Sequence, residues 1–522
     1  MIHRPLPPPP YLIVGCGRAG TSAAEALAAV TDSSQIRIWD DHDGPETRRV
    51  AGSLEKLGVT VVLGTWEEGR PESFPCTVIK SPGVPADTPP VREALAAGGV
   101  VIDELELAIR LGASPLAAVT GTDGKSTVSS LLAHALGHPG SPLPVAGNTE
   151  FGPPLSAAVA SPEPPIVECS SYQLEFCAGP FSELAVLTNL TPEHLHRHGT
   201  MEAYGEAKRR LFTIENERVP RAVINVDSEF GHRLAADLRE LGAEVATVGR
   251  ANTAEYRLVR ATWNATHARL GLITPLGPLE LRTRLPGAHN AENVASVVAG
   301  CDLLGVPRAK TLRALMAAGG LPGRWERVDC GQRYEVIVDF AHTPAGLRHV
   351  LHTARRVAAR SGGRVSLMLC AGGHNNPAKR APLGRVASSL ADLVVLTEGN
   401  GRGEPVETVM AGLLADWCPG AAAPEIEPDR RLAIRRVLST ARPGDVVILM
   451  GRGAMRTLLS NHSGGGVPFD DRAVAVEELH RLARRSVRRA EVALEDQAVP
   501  ASAEIVRLLA HDEEPELGVE AH

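Results

Sequence analysis

The sequence predicts a three-domain α/β protein, and three observations lead to this fold class. Its 522 residues are enough for three or four domains of ordinary size. Short apolar runs alternate with helical stretches rich in Ala and Leu, which indicates parallel sheets covered by helices. Two of these runs are followed at once by glycine-rich turns, at residues 15–20 and 121–124. Open α/β sheets bind ligands at such strand ends, so the pattern also predicts two ligand-binding turns.

The apolar runs divide the chain into three domains and a tail. We predict a Rossmann-like domain at residues 1–113, a central P-loop ATPase-type domain with a parallel or mixed sheet at 114–321, and a second Rossmann-like domain at 322–490. Residues 491–522 are acidic and carry little apolar pattern, so we expect a loosely ordered extension there. The predicted strands are Leu12–Val14, Ile36–Trp39, Val59–Leu63, Thr77–Lys80, Val100–Asp103, Leu116–Thr120, Ile166–Glu168, Leu184–Thr188, Val336–Asp339, Val365–Cys370, Leu393–Thr397 and Val446–Met450.

Composition argues against several functional classes. A net charge of −7 and an aromatic content of 3% argue against a general affinity for nucleic acid or for anionic membranes. The eight cysteines form no C-x-x-C pair, which argues against a zinc ribbon or a disulfide framework and favours a reducing compartment. No stretch approaches the ~18 apolar residues of a spanning helix, and the proline-rich N-terminus does not resemble a signal peptide. We therefore expect a cytoplasmic protein that acts on small molecules, and we expect a monomer.

The strongest chemical signal is the segment Gly121–Thr127, which follows an apolar run and begins a helix. Glycines allow backbone amides to converge on phosphate oxygens, and the following helix presents its positive end to them. Lys125 can reach the outer phosphates, and Ser126 or Thr127 can bind magnesium. The first glycine lies only three residues before Gly124, closer than in the general G-x-x-x-x-G-K-[ST] pattern. The segment predicts a site for ATP and Mg²⁺.

A second glycine cluster, Gly15 to Gly20, fits the pattern G-x-G-x-x-G after a strand, and Asp40 follows about twenty residues later. By itself the pattern predicts a dinucleotide cofactor or, since short motifs often match by chance, a tight turn without a ligand. The phosphate-binding segment downstream makes the nucleotide part of a substrate an equally reasonable ligand.

Polar side chains follow two later apolar runs. Glu168 and Ser170 follow one run, His194 follows the next, and Lys208 lies on a predicted helix beyond it. A carboxylate at a strand end beside a phosphate-binding turn is suited to hold magnesium. An isolated His or Lys would more often be an ordinary surface residue, but the order of these residues after Gly121–Thr127 predicts a metal and phosphate site.

Five segments resemble, in the same order along the chain, motifs of the Mur ligase family. They are Gly121–Thr127 for G-T-N-G-K-S-T, with Asp123 in place of Asn; Glu168–Leu174 for E-x-S-S-[FY]-Q-L; the segment around His194–Lys208 for D-H-L-D-x-H-G-x-M-E-x-Y-x-x-A-K; Gly287–Asn293 for G-x-H-N-x-x-N; and Pro322–Glu326 for P-G-R-x-E. Together they are specific, and the resemblance covers about residues 11–460. His196 stands where the family often has Asp, and we expect a neutral variation because magnesium prefers oxygen donors.

The resemblance implies an ATP-dependent acid–amino-acid ligase. In such an enzyme the γ-phosphoryl group converts a carboxylate into an acyl phosphate, and an amine then displaces phosphate to form the amide. The residues implied for catalysis are Lys125, His194, Lys208 and His342. Those implied for ATP are Gly121, Thr122, Asp123, Gly124, Lys125, Ser126, Thr127, Asn290, Asn293, Arg324 and Asp339. Those implied for magnesium are Ser126, Glu168, His194 and Lys208, the last as a carbamate formed with carbon dioxide.

The first domain is most similar to that of the family member that adds D-glutamate to UDP-N-acetylmuramoyl-L-alanine. In that member a glycine-rich first domain holds the UDP-sugar. The corresponding residues here are Gly15, Arg18, Asp40, Asp41, Ser81, Pro82, Gly83, Asn148, Ser170 and Gln173. The resemblance therefore implies a UDP-sugar ligand for this domain.

The C-terminal domain departs from that member. Asp339–Pro344 resembles the A-H-T-P segment of the members that add the third residue or the terminal dipeptide, and Gly372–Asn376 also resembles those members. We expect D-glutamate to be added to UDP-N-acetylmuramoyl-L-alanine in peptidoglycan precursor synthesis. The alternative is addition of L-glutamate or of the third residue. A folate-type polyglutamate ligase and a non-catalytic nucleotide-binding protein are competing hypotheses that substrate tests can separate.

Overall fold

The computed structural model describes residues 4–71, 76–373, 376–460 and 465–485. The chain divides into two compact units: one contains residues up to Leu321 together with Thr343–Val357, and the other contains Pro322–His342 and the residues from Ala358 onward. Within the described ranges, every helix is too short or too polar to cross a bilayer. The predicted extension at 491–522 lies outside the described residues, as do His374 and Asn375 of the segment Gly372–Asn376.

A five-stranded parallel sheet forms the first part of the first unit. Its strands run in the spatial order β3-β2-β1-β4-β5, so the chain reverses direction across the sheet between β1 and β4. Side chains of β1 enter two separate cores, with Ile13 on one face and Leu12 on the other, as expected of parallel strands covered by helices on both sides. Strands β1 to β5 are Tyr11–Val14, Ile36–Asp40, Thr60–Leu63, Thr77–Lys80 and Val101–Asp103. Helices α1 to α5 are Arg18–Ala28, Pro45–Glu55, Trp66–Gly69, Pro89–Ala96 and Glu104–Arg110.

A nine-stranded mixed sheet forms the second part of the first unit. Strands β6 to β16 are Ala117–Thr120, Val145–Gly147, Ile166–Glu168, Leu184–Leu187, Thr213–Ile214, Glu217–Arg218, Arg221–Asn225, Glu244–Gly249, Tyr256–Trp263, Ala268–Thr274 and Gly277–Thr283. Of these, β10 and β11 form a separate two-stranded sheet. Helices α6 to α13 are Lys125–Leu136, Ser171–Leu174, Leu195–His198, Met201–Arg209, Glu229–Glu240, Ala288–Leu303, Arg308–Ala317 and Pro344–Ala358. The order is β16-β15-β14-β13-β12-β9-β6-β8-β7, and only the pairs β14-β15 and β15-β16 are antiparallel. Strand β6 lies inside the parallel part, so the turn that follows it opens at the ligand-binding edge of the sheet.

Buried polar contacts join the two sheets of the first unit. The hydroxyl groups of Ser22 and Ser156 lie 2.7 Å apart, and the backbone amide of Ser156 donates to Glu104 Oε1 at 2.6 Å. The amide of Ala178 donates to Glu106 Oε2 at 3.1 Å. Glu104 is only 1% exposed, and its burial raises the pKa of its carboxyl group. Because one unit contains both sheets, the boundary near residue 113 stays a prediction.

The second unit contains a six-stranded sheet in the order β17-β18-β22-β19-β20-β21. Strands β17 to β24 are Glu326–Arg327, Glu335–Asp339, Val365–Leu369, Leu393–Leu396, Glu425–Ile426, Val446–Met450, Thr457–Ser460 and Gly465–Pro468. Helices α14 to α16 are Arg380–Leu390, Val406–Leu414 and Arg430–Ser439, and residues 471–485 are also helical. All pairs in this sheet are parallel except β17-β18. The predicted α/β fold class is confirmed, and each of the twelve predicted strands is present to within one residue at either end.

Candidate active site

The segment Gly121–Thr127 joins β6 directly to α6, as the sequence predicts. Gly121 has φ +145° and Gly124 has φ +85°, conformations that side-chain-bearing residues rarely adopt. A Cβ atom at Gly124 would lie 2.3 Å from Asn293 Oδ1, and one at Gly121 would lie 1.9 Å from Thr188 Oγ1. Both glycines are therefore required by backbone conformation and by close neighbours. Gly124 caps the N-terminus of α6, so the amide groups of the first turn of that helix are available for the phosphate predicted to bind here.

Residues that follow β9 hold this turn in place. The amide of Asp123 donates to Asn189 Oδ1 at 2.9 Å, and Thr188 Oγ1 donates to the carbonyl oxygen of Asp123 at 2.7 Å. The amide of Thr122 donates to the carbonyl oxygen of Asn189 at 3.0 Å. Lys125 Nζ donates to the carbonyl oxygen of Thr122 at 2.8 Å, so its charge lies over the turn. The motif search missed Thr188 and Asn189, although their position directly after a buried strand was a usable signal.

Two of the predicted ATP-binding residues, Asn290 and Asn293, lie on one helix beside this turn. Asn290 and Asn293 occupy the first turns of α11, are each 5% exposed, and are linked by a 3.3 Å hydrogen bond from Asn293 Nδ2 to Asn290 Oδ1. Asn290 Nδ2 also donates to the carbonyl oxygen of Pro286 at 2.7 Å. The close approach of Asn293 to Gly124 brings this pair to the phosphate turn.

Glu168 is the last residue of β8, the strand next to β6, and it is 3% exposed. Ser126 lies in the first turn of α6 and is partly buried. A carboxylate at the end of β8 and a hydroxyl in the first turn of α6, the helix that follows the neighbouring strand β6, are oxygen donors of the kind that magnesium prefers. The oxygen atoms of Glu168 and Ser126 are therefore suitable donors for Mg²⁺, and both residues stay predicted magnesium ligands.

Lys208 is buried inside the protein, with 1% exposure, although lysines are rarely buried. Its Nζ donates to the carbonyl oxygen of Gly121 at 2.8 Å and lies 4.6 Å from the centre of the Tyr204 ring. Burial, and then the charge of Lys125, hold the pKa of the Lys208 ammonium well below its usual range. The uncharged amine, which this environment favours, is the form that reacts with carbon dioxide.

His194 lies at the start of α8 in a cluster of rings that sequence reasoning did not find. Its φ is +58°, an uncommon conformation for a residue with a side chain. The Tyr172 hydroxyl lies 2.7 Å from His194 Nδ1, and the two ring centres are 4.7 Å apart. A partner at Nδ1 fixes the orientation of the ring, so a contact of His194 with a ligand would be made through Nε2. His196 lies with its ring centre 6.1 Å from that of His194.

The predicted UDP-sugar residues of the first sheet meet where the strand order reverses. Ser81 Oγ donates to the carbonyl oxygen of Gly15 at 3.2 Å, and the amide of Cys16 donates to Asp40 Oδ2 at 2.6 Å. Gly15 has φ +99°, and a Cβ there would lie 2.9 Å from Ser81 Oγ. The structure therefore brings Gly15, Asp40 and Ser81 together at the position where open sheets bind nucleotides.

The other predicted UDP-sugar residues are more dispersed. Arg18 donates from Nη2 to the carbonyl oxygen of Gly152 at 2.7 Å, in the turn that begins with Asn148. Asp41 is exposed and pairs with His42. Ser170 and Gln173 form a capping box at the start of α7, in which Gln173 Oε1 accepts from the Ser170 amide at 3.0 Å. Both side chains therefore have a local structural role, whatever else they bind. Pro82 and Gly83 follow Ser81 in the same loop.

Gly20→Ala is expected to destabilise the turn after β1. A Cβ at Gly20 would lie 1.8 Å from the carbonyl oxygen of Gly15, and backbone atoms cannot move aside without shifting the loop. We expect a loss of about 1–3 kcal/mol in the free energy of unfolding, and weaker binding of a UDP-sugar. Thermal unfolding of the variant measures the first effect.

The matched control is Gly52→Ala on α2, where a Cβ would meet nothing within 4 Å. That substitution should leave the melting temperature unchanged or raise it, because Ala favours helix over Gly. Equal melting temperatures for Gly20→Ala and wild type would contradict the steric argument.

The remaining predicted residues belong to the second unit. Asp339 ends β18 and accepts from the amide of Trp325 at 2.7 Å through Oδ2. The Arg324 guanidinium lies 4.1 Å from the centre of the Phe340 ring, and that ring packs edge-on against His342 at 4.9 Å. Arg324, Asp339 and His342 are therefore neighbours at one end of this sheet.

Two family models match the chain. The Mur ligase middle domain matches residues 119–301, and the Mur ligase glutamate ligase domain matches residues 323–453. The matched ranges contain Gly121–Thr127, Glu168, His194 and Lys208, and in the second range Arg324 and the end of β18.

Two similar proteins carry the name of diaminopimelate ligases. The UDP-N-acetylmuramoyl-L-alanyl-D-glutamate–2,6-diaminopimelate ligase of Chromobacterium violaceum is 32% identical over 389 residues, which cover 70% of this chain and 77% of that protein. The ligase of the same name from Gloeobacter violaceus is 34% identical, with coverages of 71% and 78%.

Solved structures show the same fold. A UDP-N-acetylmuramoyl-L-alanyl-D-glutamate–2,6-diaminopimelate ligase structure is 25% identical, covers 78% of this chain and 92% of its own, and has a TM-score of 0.51. The UDP-N-acetylmuramate–alanine ligase of Thermotoga maritima is 20% identical, with coverages of 91% and 99% and a TM-score of 0.56.

These comparisons favour the alternative prediction, addition of the third residue, over addition of D-glutamate. The relatives carry the name of diaminopimelate ligases, whereas the sequence motifs pointed most closely to the D-glutamate-adding member. That finer prediction rested in part on residues 15–83, which lie outside both matched ranges, and the C-terminal segment Asp339–Pro344 already departed from it. Matched models over residues 119–301 and 323–453, and relatives 32% and 34% identical over more than three quarters of their length, establish that the chain belongs to the Mur ligase family of ATP-dependent, amide-forming ligases.

Proposed function

We propose that this ligase joins an amino acid to the peptide carboxylate of a UDP-N-acetylmuramoyl substrate in peptidoglycan synthesis. The observation that carries the proposal is the Gly121–Thr127 turn, with Lys125 above it and the buried amine of Lys208 against the carbonyl oxygen of Gly121. The names of the relatives favour UDP-N-acetylmuramoyl-L-alanyl-D-glutamate as the acceptor of a third residue.

The chain's own groups would act first on the triphosphate. A carboxylate is a poor electrophile, and transfer of the γ-phosphoryl group to it gives an acyl phosphate with a good leaving group. The amides at the start of α6 and the Lys125 ammonium would stabilise the negative charge that spreads over the phosphoryl oxygens. Asn290 and Asn293 would hold the nucleotide beside this turn. Alignment and charge stabilisation are thus the main contributions of the protein.

Magnesium, when bound, would neutralise phosphate charge and polarise the phosphoryl group. Ser126 and Glu168 offer oxygen donors, and a carbamate on Lys208 would add another. The carbamate would form when the neutral amine attacks the carbon of carbon dioxide: a C–N bond forms, the π electrons of one C=O bond move to oxygen, and a proton leaves the nitrogen for solvent, so the neutral amine becomes an anion. His194 would complete the predicted set through Nε2, with its ring oriented by Tyr172.

A second candidate, addition of glutamate to UDP-N-acetylmuramoyl-L-alanine, is favoured by one specific observation. Gly15, Asp40 and Ser81 meet at the point of strand reversal in a first sheet whose sequence resembles the D-glutamate-adding member. The two candidates share ATP, the acyl phosphate and the UDP-sugar. They differ in the peptide that carries the carboxylate and in the incoming amine.

A substrate matrix with the full-length protein tests both candidates. Each of UDP-N-acetylmuramoyl-L-alanine and UDP-N-acetylmuramoyl-L-alanyl-D-glutamate is combined with D-glutamate, L-glutamate or meso-diaminopimelate, and ADP release and product mass are measured. We expect one pair to exceed the others by at least about 10²-fold in kcat/KM, and we expect it to contain the dipeptide substrate. Turnover only with the alanine substrate would favour the second candidate. A folate with L-glutamate is tested beside the matrix. Turnover of the folate alone, or no turnover with any of these pairs, would reject both candidates.

A further inference from the structure

The carbonyl groups of the loop Ser81–Val84, which follows β4, accept hydrogen bonds from two cationic side chains. Lys80 is 0% exposed, and its Nζ donates to the carbonyl oxygens of Ser81 at 3.2 Å and Val84 at 3.1 Å. Arg197 approaches from α8 and donates to the carbonyl oxygens of Pro82 at 3.4 Å and Val84 at 3.1 Å. Three of the four loop carbonyls therefore have a cationic donor.

Arg197 is also part of the ring cluster around His194. Its guanidinium lies 4.3 Å from the centre of the Tyr172 ring, whose hydroxyl lies 2.7 Å from His194 Nδ1. Its Nη2 donates to Glu175 Oε2 at 2.6 Å, and its side chain is only 10% exposed. One guanidinium thus contacts a loop of the first sheet, a carboxylate and the aromatic ring that orients His194.

A guanidinium group can contact the loop, the carboxylate and the aromatic ring at the same time. Its planar fork presents several donors at once and stacks on aromatic rings, whereas an ammonium offers one point of charge. The group satisfies two carbonyls and one carboxylate while it covers the Tyr172 ring. Loss of the group would release the loop at Pro82 and would remove the packing that keeps Tyr172 against His194.

We propose that Arg197 is a positioning residue that links the Ser81–Val84 loop to His194. This inference rests on the proposed function, in which Ser81, Pro82 and Gly83 are predicted UDP-sugar residues and His194 belongs to the predicted magnesium set beside the carboxylate to be activated. Binding of the UDP-sugar against the loop then also fixes Tyr172 and His194. Arg197 thus positions both the loop that would meet the nucleotide-sugar and the histidine that would act near the reacting acid of the same substrate.

Kinetics of Arg197→Ala separate positioning from general destabilisation. We expect KM for the UDP substrate to rise about tenfold and kcat to fall about tenfold, with KM for ATP changed less than about twofold. A variant that merely folds less well would lose kcat and keep both KM values. The matched control is Arg209→Ala, since Arg209 pairs with Asp237 and has no contact with the loop.

Hydrogen exchange tests the link without turnover. In the ligand-free protein, Arg197→Ala should speed amide exchange both at residues 81–84 and at 194–198, and Arg209→Ala should change neither. Unchanged exchange at either segment in Arg197→Ala, or unchanged kcat and KM, would overturn the inference. A wild-type protein that catalyses no ligation would instead overturn the proposed function, while the exchange result would still decide whether Arg197 links the two segments.

Discussion

Lys125→Met is expected to lower kcat/KM for ATP-dependent ligation about 10³-fold, a loss of ~4 kcal/mol in transition-state stabilisation. The physical reason is the loss of a positive charge next to the turn where phosphoryl oxygens gain charge. Methionine keeps much of the length of the side chain, so the change is mainly one of charge. Steady-state release of ADP with saturating UDP substrate and amino acid measures the effect.

The control for this variant is Lys56→Met, which removes an exposed lysine after α2. It should retain wild-type activity. Lys125 also donates to the carbonyl oxygen of Thr122, so the melting temperature of Lys125→Met must be compared with that of wild type. More than a tenth of wild-type kcat/KM in a folded Lys125→Met protein would show that this ammonium does not stabilise the transferred phosphoryl group.

Lys208→Met is expected to lower kcat about 10²–10³-fold, because it removes the only atom at this position that can carry a carbamate. The substitution replaces a buried amine with an apolar chain of similar length, so we expect the protein to fold. Burial holds the pKa of the Lys208 ammonium well below its usual range, which favours the neutral amine that attacks carbon dioxide.

Dependence on carbon dioxide separates a carbamate from a plain lysine. Wild-type activity should fall in carbon dioxide-free buffer and recover on addition of bicarbonate, and the residual activity of Lys208→Met should respond to neither. Protein equilibrated with ¹³C-bicarbonate should show a carbamate carbonyl resonance in wild type and none in the variant. Carbon dioxide-independent activity, together with no such resonance, would reject the carbamate.

Features encoded locally could be predicted from the sequence. The predicted strands are short continuous apolar runs. The turn Gly121–Thr127 follows one of them directly, so the strand, the turn and the start of the helix could all be identified from the sequence. The antiparallel strands β14 to β16 were missed because they are buried on one face only. Their alternating pattern, clearest in Gly277–Thr283, lacks the continuous apolar run that marks the predicted strands.

Contacts between distant segments could not be predicted in this way. Arg197 and Pro82 are 115 residues apart in the sequence, and nothing in either segment indicates the other. The capping role of Gln173 was hidden for a different reason: the family motif suggested a ligand contact, whereas the local pattern of Ser170 and Gln173 also satisfies the first turn of α7. Charge and ring contacts of this kind depend on tertiary packing.

Because Ser156 makes contacts between the two sheets of the first unit, the first sheet cannot be exchanged independently of the second. A chimera that grafts the first sheet onto another ligase would bury Glu104 without the amide that it now meets and would leave Ser22 facing an unmatched surface. Each orphaned polar group would cost about 1–3 kcal/mol. A functional chimera therefore needs a graft that carries Ser22 and Glu104 together with the segment that contains Ser156.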